Sequence, residues 1–152
     1  MKNKIIFLDI DGVLNSDKFY ERCTSKGMTW VEHRIDPDTV RRLKTIVDET
    51  NAEIVVTSTW RRVSDDMNLL ERHLRAQQLQ IFDKTPMLYK SRGDEISAWF
   101  KIKPAFRDAN YVILDDDSDM TIHMDHLVQT NYKTGLTDED VRKAIKILNA
   151  KE

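Results

Sequence analysis

The chain has 152 residues, of which 40% are hydrophobic and 33% are charged, and this is enough for one domain with a buried core. Its formal net charge of −2 gives no overall attraction to nucleic acid or to a membrane, although a local basic patch is compatible with it, and no apolar run is long enough to span a bilayer. The single cysteine, Cys23, excludes an internal disulfide and fits a cytoplasmic location. We therefore treat residues 1–152 as one domain.

Strands and helices are predicted to alternate along the chain. In chain order, the predicted elements are a strand at 5–8, a flap at about 15–35, a helix from Asp36 to about residue 50, a strand at 53–57, a helix within 61–79, a short strand at 81–82, a helix over 92–102, a strand at 111–115, a short strand at 126–130 and a helix from Thr137 through Leu148. Asp36 before Pro37 is typical of a helix start, and Ser91 with Asp94 resembles a capping arrangement.

The alternation of strands and helices predicts an α/β fold. Right-handed crossovers between successive strands give a mostly parallel sheet with helices on both faces. The flap segment, 15–35, has no clear hydrophobic period, and Gly27 can form a turn within it. We interpret this segment as a hairpin inserted over the functional site.

Polar side chains follow three of the predicted strands. They are Asp9 and Asp11 after the first strand, Thr57 and Ser58 after the second, and Asp115 and Asp116 after the strand at 111–115. The carboxyl ends of parallel strands share one edge of a sheet, where ligands bind. Asp9 and Asp11 would lie on one face if the extended conformation continued through them. Two carboxylates about 4 Å apart repel by about 4 kcal/mol at an effective dielectric near 20, so this pair favours a bound cation, a shared proton or a solvated loop.

In their order along the chain, these features resemble the four motifs of the haloacid dehalogenase (HAD) superfamily. The matching residues are Asp9-Ile10-Asp11-Gly12-Val13-Leu14, the Thr57/Ser58 strand end, a basic residue near the start of the 92–102 helix, and Asp115-Asp116-Asp117-Ser118-Asp119. The resemblance implies a Rossmann-like three-layer sandwich with a minimal cap. The amino-acid sequence of 92–99, 112–120 and 135–137 is similar to that of the small HAD domains found with RNA-repair enzymes and in phage-type genomes.

The resemblance implies phosphoryl transfer through an aspartyl-phosphate. Asp9 would be the nucleophile, and Asp11 would protonate the leaving group and later deprotonate the attacking water. The presence of Asp11 favours a phosphatase over a dehalogenase. Thr57 or Ser58 would donate a hydroxyl to a phosphate oxygen, with Thr57 in the more usual place.

The resemblance also implies a Mg²⁺ site formed by carboxylates, since this ion prefers oxygen ligands. The implied metal ligands are Asp9, Asp11, Asp115 and Asp116, with Asp119 supporting. Asp117 is an alternative metal ligand, but a role as a solvated turn residue fits its position equally well. For the phosphate-binding cation of the third motif, Arg92 is preferred because a cation at a helix start is better tolerated beside an anion, but Lys90 is a serious rival.

About twenty residues in the flap are too few for a cap domain, so we expect an open site that accepts bulky substrates. The predicted function is a Mg²⁺-dependent phosphomonoesterase, acting on nucleotide or nucleic-acid end phosphates, with no membrane association and no obligate protein partner. The alternatives are a phosphoacceptor signalling domain and a catalytically weak accessory binding module of the same fold.

Overall fold

The computed structural model describes residues 2–29 and 33–151. Residues 30–32, which belong to the predicted flap, lie outside the described residues. Within the described ranges, no helix is both long enough and apolar enough to cross a membrane.

The described strands form one five-stranded sheet in which every pair of neighbours is parallel, as the alternation of elements predicted. The strands are β1 (Lys4–Leu8), β2 (Glu53–Val56), β3 (Ile81–Lys84), β4 (Asn110–Asp115) and β5 (Leu127–Gln129), in the spatial order β3-β2-β1-β4-β5. The last residue of β1, Leu8, is paired with both Val56 of β2 and Leu114 of β4. The three central strands therefore end at the same level, and the residues that follow them are neighbours.

Helices pack on both faces of the sheet, which confirms the three-layer α/β fold. They are α1 (Asp17–Ser25), α2 (Pro37–Thr50), α3 (Ser64–Arg75), α4 (Arg92–Ile102) and α5 (Asp138–Leu148), with 3₁₀ turns at Thr59–Arg62, Pro104–Phe106 and Thr121–His126. On one face, buried side chains of α2, α3 and α5 join Ile6 and Leu8 in the larger core. On the other face, Trp99 of α4 packs with Ile5 and Phe7 in the smaller core.

The predicted helix starts are confirmed by their caps. The side chain of Asp36 accepts a hydrogen bond from the backbone N–H of Asp38 at the start of α2. Ser91 accepts from the N–H of Asp94 at the start of α4. Thr137 at the start of α5 forms a capping box with Asp140.

The predicted flap hairpin is wrong for 17–25, which form helix α1 instead. Ser16 caps this helix by accepting from the N–H of Phe19, and Phe19 and Cys23, four residues apart, are its buried side chains. Gly27, with φ of +70°, lies just after the end of α1 rather than between two strands. Helix formation satisfies the backbone hydrogen bonds locally, so the segment needs no second strand to pair with.

Candidate active site

The sheet register brings Asp9, Thr57 and Asp115 together at the carboxyl ends of β1, β2 and β4. The N–H of Asp9 donates to the carbonyl of Leu114 at 3.0 Å, and the N–H of Thr57 donates to the carbonyl of Leu8 at 2.9 Å. The backbone pairing thus continues one residue beyond β1 and β2. All three polar residues are buried, so their side chains meet in a region that water reaches poorly.

Arg92, the first residue of α4, places its guanidinium at the centre of these three side chains. Its Nη1 lies 3.2 Å from Oδ1 of Asp9, 3.2 Å from Oγ1 of Thr57 and 3.2 Å from Oδ2 of Asp115. Lys90, the alternative cation, is exposed and has no ion pair among the described residues. The structure therefore brings Arg92, and not Lys90, to the strand ends.

The loop after β4 fixes the start of α4 through Asp119. A carboxylate oxygen of Asp119 accepts from the N–H of Arg92 at 3.1 Å, and the carbonyl of Asp119 accepts from the N–H of Gly93 at 3.0 Å. A Cβ atom at position 93 would collide with the backbone of Met120. The close approach of loop and helix thus requires glycine, and Asp119 holds the backbone of Arg92 in place.

Asp9, Asp115 and Asp116 form an acidic cluster, since each can offer a carboxylate oxygen within 4.8 Å of the others. Gly12, with φ of +81°, makes room for the cluster, because a Cβ atom there would collide with the carboxylate of Asp116. Asp115 is held further by its Oδ1, which accepts from the N–H of Asp117 at 2.9 Å. An all-oxygen set of this spacing fits Mg²⁺.

The charge balance of the acidic cluster also fits a divalent cation. The pKa of Asp115 is raised to about 8, chiefly by burial and next by the nearby charge of Asp9, while Arg92 opposes both. Burial likewise raises the pKa of Asp9, again against the effect of Arg92. One guanidinium does not compensate three carboxylates, so the ionised cluster requires additional positive charge.

Asp11 and Asp119 lie outside the acidic cluster that the described residues form. The chain turns directly after Asp9, with the N–H groups of Val13 and Leu14 both donating to the carbonyl of Ile10. Asp11 is consequently exposed at the mouth of the site rather than beside Asp9.

The side chains of the remaining predicted residues, Ser58 and Asp117, accept hydrogen bonds from nearby backbone N–H groups. The hydroxyl of Ser58 accepts from the backbone N–H of Trp60 at 3.1 Å and so caps the 3₁₀ turn. Asp117 is exposed, and its carboxylate accepts from the neighbouring N–H of Ser118. Of the two adjacent hydroxyls, that of Thr57 is the one in contact with Arg92.

Two charged residues near the site were not identified from the sequence. Arg61 has a side chain that is only 3% exposed, and it pairs with the buried Glu95 at 3.2 Å. Glu95 also lies 3.9 Å from Nε of Arg92. A glutamate on the inward stripe of the 92–102 helix, beside Ile96 and Trp99, is the pattern that could have indicated this buried pair.

A cavity of about 490 Å³ opens beside the acidic cluster. It is lined by Asp11, Gly12, Asn15, Ser16, Asp17, Tyr20, His33, Arg34, Trp60, Asp116 and Tyr132. The guanidinium of Arg34 lies 4.4 Å from the ring centroid of Trp60 and pairs with Asp66 at 2.7 Å. A second recess of about 400 Å³ shares Asp11, Arg34 and Trp60 with it, so the open surface continues past the indole.

The fold and the arrangement of the strand ends agree with a comparison against protein families. The family described as "HAD domain in Swiss Army Knife RNA repair proteins" matches residues 5–141. Comparisons with curated proteins and with solved structures give no match. The matched range includes β2 to β5, all of β1 except its first residue, and both halves of the site, from Asp9 to Asp119, and the chain therefore belongs to this family of HAD domains.

Proposed function

We propose that the chain is a Mg²⁺-dependent phosphomonoesterase that works through an aspartyl-phosphate on Asp9. The observation that supports this most directly is the contact of one guanidinium, that of Arg92, with Asp9, Thr57 and Asp115. A nucleophile, a hydroxyl donor, a cation and a metal-binding acid are thereby gathered at one point. Membership in a HAD family supports the same phosphatase-type activity.

In the first step, a carboxylate oxygen of Asp9 attacks phosphorus in line and the ester P–O bond breaks. The leaving alkoxide takes a proton from Asp11, which lies at the mouth of the site where the leaving group departs. In the second step, Asp11 takes a proton from water, the resulting hydroxide attacks phosphorus, and phosphate leaves as Asp9 is restored. Asp11 thus returns to its starting protonation state after each turnover.

Two donors would hold the phosphate oxygens during both steps. Arg92 has five N–H donors, so it can bind phosphate while it still contacts Asp115. Thr57 adds a hydroxyl that the buried end of β2 holds in place. Mg²⁺ bound by Asp9, Asp115 and Asp116 would neutralise charge on the phosphate and on the attacking carboxylate.

The cavity beside the cluster supports a nucleotide or nucleic-acid end as the substrate. Tyr20 and Tyr132 offer aromatic rings, and Arg34 offers a planar cation. Bases of single-stranded nucleic acid stack on such rings and on guanidinium planes. Tyr20 and Tyr132 are about half exposed, at 49% and 53%, so the site is open to a bulky leaving group.

The test is a hydrolysis panel on the purified chain, comprising 4-nitrophenyl phosphate, 3′- and 5′-phosphorylated oligonucleotides, mononucleotides and sugar phosphates. We expect phosphate release that EDTA abolishes and Mg²⁺ restores, with the highest kcat/KM on nucleotides or oligonucleotide ends. Asp9→Asn should reduce activity by about 10³-fold or more, because it removes the nucleophile.

The matched control is Asp117→Asn, which changes an exposed aspartate of the loop after β4 and should keep full activity. Activity that persists in EDTA or in Asp9→Asn would overturn the mechanism. Stable phosphorylation by acetyl phosphate without turnover would instead favour a phosphoacceptor signalling domain. Mg²⁺ binding with no hydrolysis across the panel would favour an accessory binding module.

A further inference from the structure

Trp60 lines the cavity, and its indole N–H donates a hydrogen bond to the carboxylate of Asp11. We infer that Trp60 is a positioning residue that orients the carboxyl group of Asp11 for proton exchange with the leaving group. This inference rests on the proposed function, since it assigns a purpose to a residue only if Asp11 is the acid and base of that reaction.

Both side-chain hydrogen bonds to Asp11 go to the same oxygen. The indole Nε1 of Trp60 donates to Oδ1 of Asp11 at 3.1 Å, and Nδ2 of Asn15 donates to that oxygen at 2.9 Å. Among the described residues, neither these nor any other donor is bonded to Oδ2. An oxygen that accepts two N–H groups is the carbonyl-type oxygen of a carboxyl, so Oδ2 is the one left to give and take a proton.

The indole is itself held on several sides. Trp60 is only 4% exposed, and its backbone N–H is bonded to Oγ of Ser58. The guanidinium of Arg34 lies over its ring and is anchored by the ion pair with Asp66. A donor fixed in this way can restrict the carboxyl rotation of an exposed aspartate, and such restriction is what proton transfer at the required geometry needs.

A positioning role and a purely structural role for Trp60 predict different effects of its replacement on esters with poor and with good leaving groups. Protonation of the leaving group matters when that group is a poor one, such as an alkoxide, and matters little when it is 4-nitrophenolate. General acid catalysis typically contributes about 10²- to 10⁴-fold. In the first step, misorientation of Asp11 should therefore slow the alkyl ester selectively, whereas a loosened fold should slow both esters together. Since Asp11 is also the base of the second step, which both esters share, the selective effect is expected in kcat/KM, which reports the steps up to formation of the aspartyl-phosphate.

The experiment compares kcat/KM for benzyl phosphate and 4-nitrophenyl phosphate, which have similar shapes, in wild type and Trp60→Phe. We expect Trp60→Phe to lower kcat/KM for benzyl phosphate by about 10- to 100-fold and kcat/KM for 4-nitrophenyl phosphate by less than about 3-fold.

Trp99→Phe is the matched control, because it also removes an indole N–H that donates to a carboxylate, here Asp83 at 2.9 Å. Trp99 lies in the smaller core, so any loss in this variant should be the same for both esters. An equal loss of kcat/KM for both esters in Trp60→Phe, or an unchanged kcat/KM for benzyl phosphate, would overturn the inference.

If Trp60→Phe does not fold, replacement of Trp60 by 3-benzothienylalanine removes the N–H alone, and the same selective loss is expected. The variant Asp9→Asn distinguishes a failure of this inference from a failure of the proposed function. If wild type hydrolyses both esters and Asp9→Asn hydrolyses neither, an unselective loss in Trp60→Phe overturns the inference alone. Hydrolysis that does not depend on Asp9 overturns the proposed function as well.

Discussion

At the end of the sheet, the guanidinium of Arg92 contacts two buried carboxylates and one hydroxyl through a single nitrogen. A lysine ammonium can supply the charge, but it has no planar arrangement of donors that could bind phosphate and carboxylate together. The choice of arginine here is therefore a matter of geometry as well as of charge.

We expect Arg92→Lys to lower kcat/KM by about 10²-fold, the usual cost of removing one well-placed donor to a developing charge. The thermal midpoint should change little, since a positive charge remains beside Asp9 and Asp115. Steady-state kinetics with thermal unfolding on the same samples measures both quantities.

Lys90→Ala is the companion variant, because Lys90 is the other cation that the sequence offered. It is exposed, so its loss should leave kcat/KM within about 2-fold of wild type. A greater loss in Lys90→Ala than in Arg92→Lys would assign phosphate binding to position 90.

At the scale of elements, the site depends on how closely the loop after β4 approaches the start of α4. Gly93 stands where a Cβ atom would collide with the backbone of Met120, and Asp119 in the same loop holds the N–H of Arg92. These contacts hold the acidic loop next to the guanidinium of Arg92, and a side chain at position 93 would force the loop and the helix apart.

Gly93→Ala should destabilise the protein by about 1–3 kcal/mol, because the collision forces a backbone shift. Alanine is normally the better helix residue by about 1 kcal/mol, so a loss of stability in Gly93→Ala would be the opposite of the usual effect and would indicate the collision. We expect a lower thermal midpoint together with weaker Mg²⁺ binding in a calorimetric titration. Lys101→Ala, an exposed change in α4, should alter neither, and a Gly93→Ala variant as stable as wild type would show that the loop is free to move away.

At the scale of the whole molecule, the fold could be predicted because most of its elements had a local pattern. Alternating strands and helices with recognisable caps, such as Asp36 before Pro37, implied the parallel sheet and its polar edge. The hairpin at 15–35 was mistaken because α1 buries only Phe19 and Cys23, too few side chains for a clear helical period. Its first N–H groups also bond to carbonyls of Tyr132 and Lys133, which are remote in sequence.

The candidate site was predictable to the extent that strand ends determine it. Thr57 and Asp115 follow directly from the register of the sheet, and Arg92 from the preference of helix starts for nearby anions. The bond from Trp60 to Asp11 arises from long-range packing, which leaves no spacing in the sequence. The position of Glu95 on the inward stripe of its helix indicates a buried charge, but its pairing with Arg61 also depends on long-range packing.

The burial of acids in the core of the molecule predicts an unusual dependence of stability on pH in the absence of metal. The folded-state pKa of Asp115 is raised to about 8, above its ordinary value of 3.8, chiefly by burial. Between these values the folded state holds a proton that the unfolded state releases, so the free energy of unfolding falls as pH rises. From pH 7 to 9 we expect a loss of about 1.4 kcal/mol, or roughly 3–6 °C in thermal midpoint.

Thermal unfolding in EDTA across this range measures the effect, and the range begins above the ordinary histidine pKa of 6.5, so that His73 and His123 contribute little. Asp115→Asn carries a neutral isostere and should remove most of the slope, whereas Asp117→Asn should keep it. Saturating Mg²⁺ should also flatten the slope, because the carboxylates are then ionised at every pH in the range. A metal-free protein that becomes more stable as pH rises would mean that Arg92 alone keeps both buried aspartates ionised, and the argument for a divalent cation from charge balance would then fail.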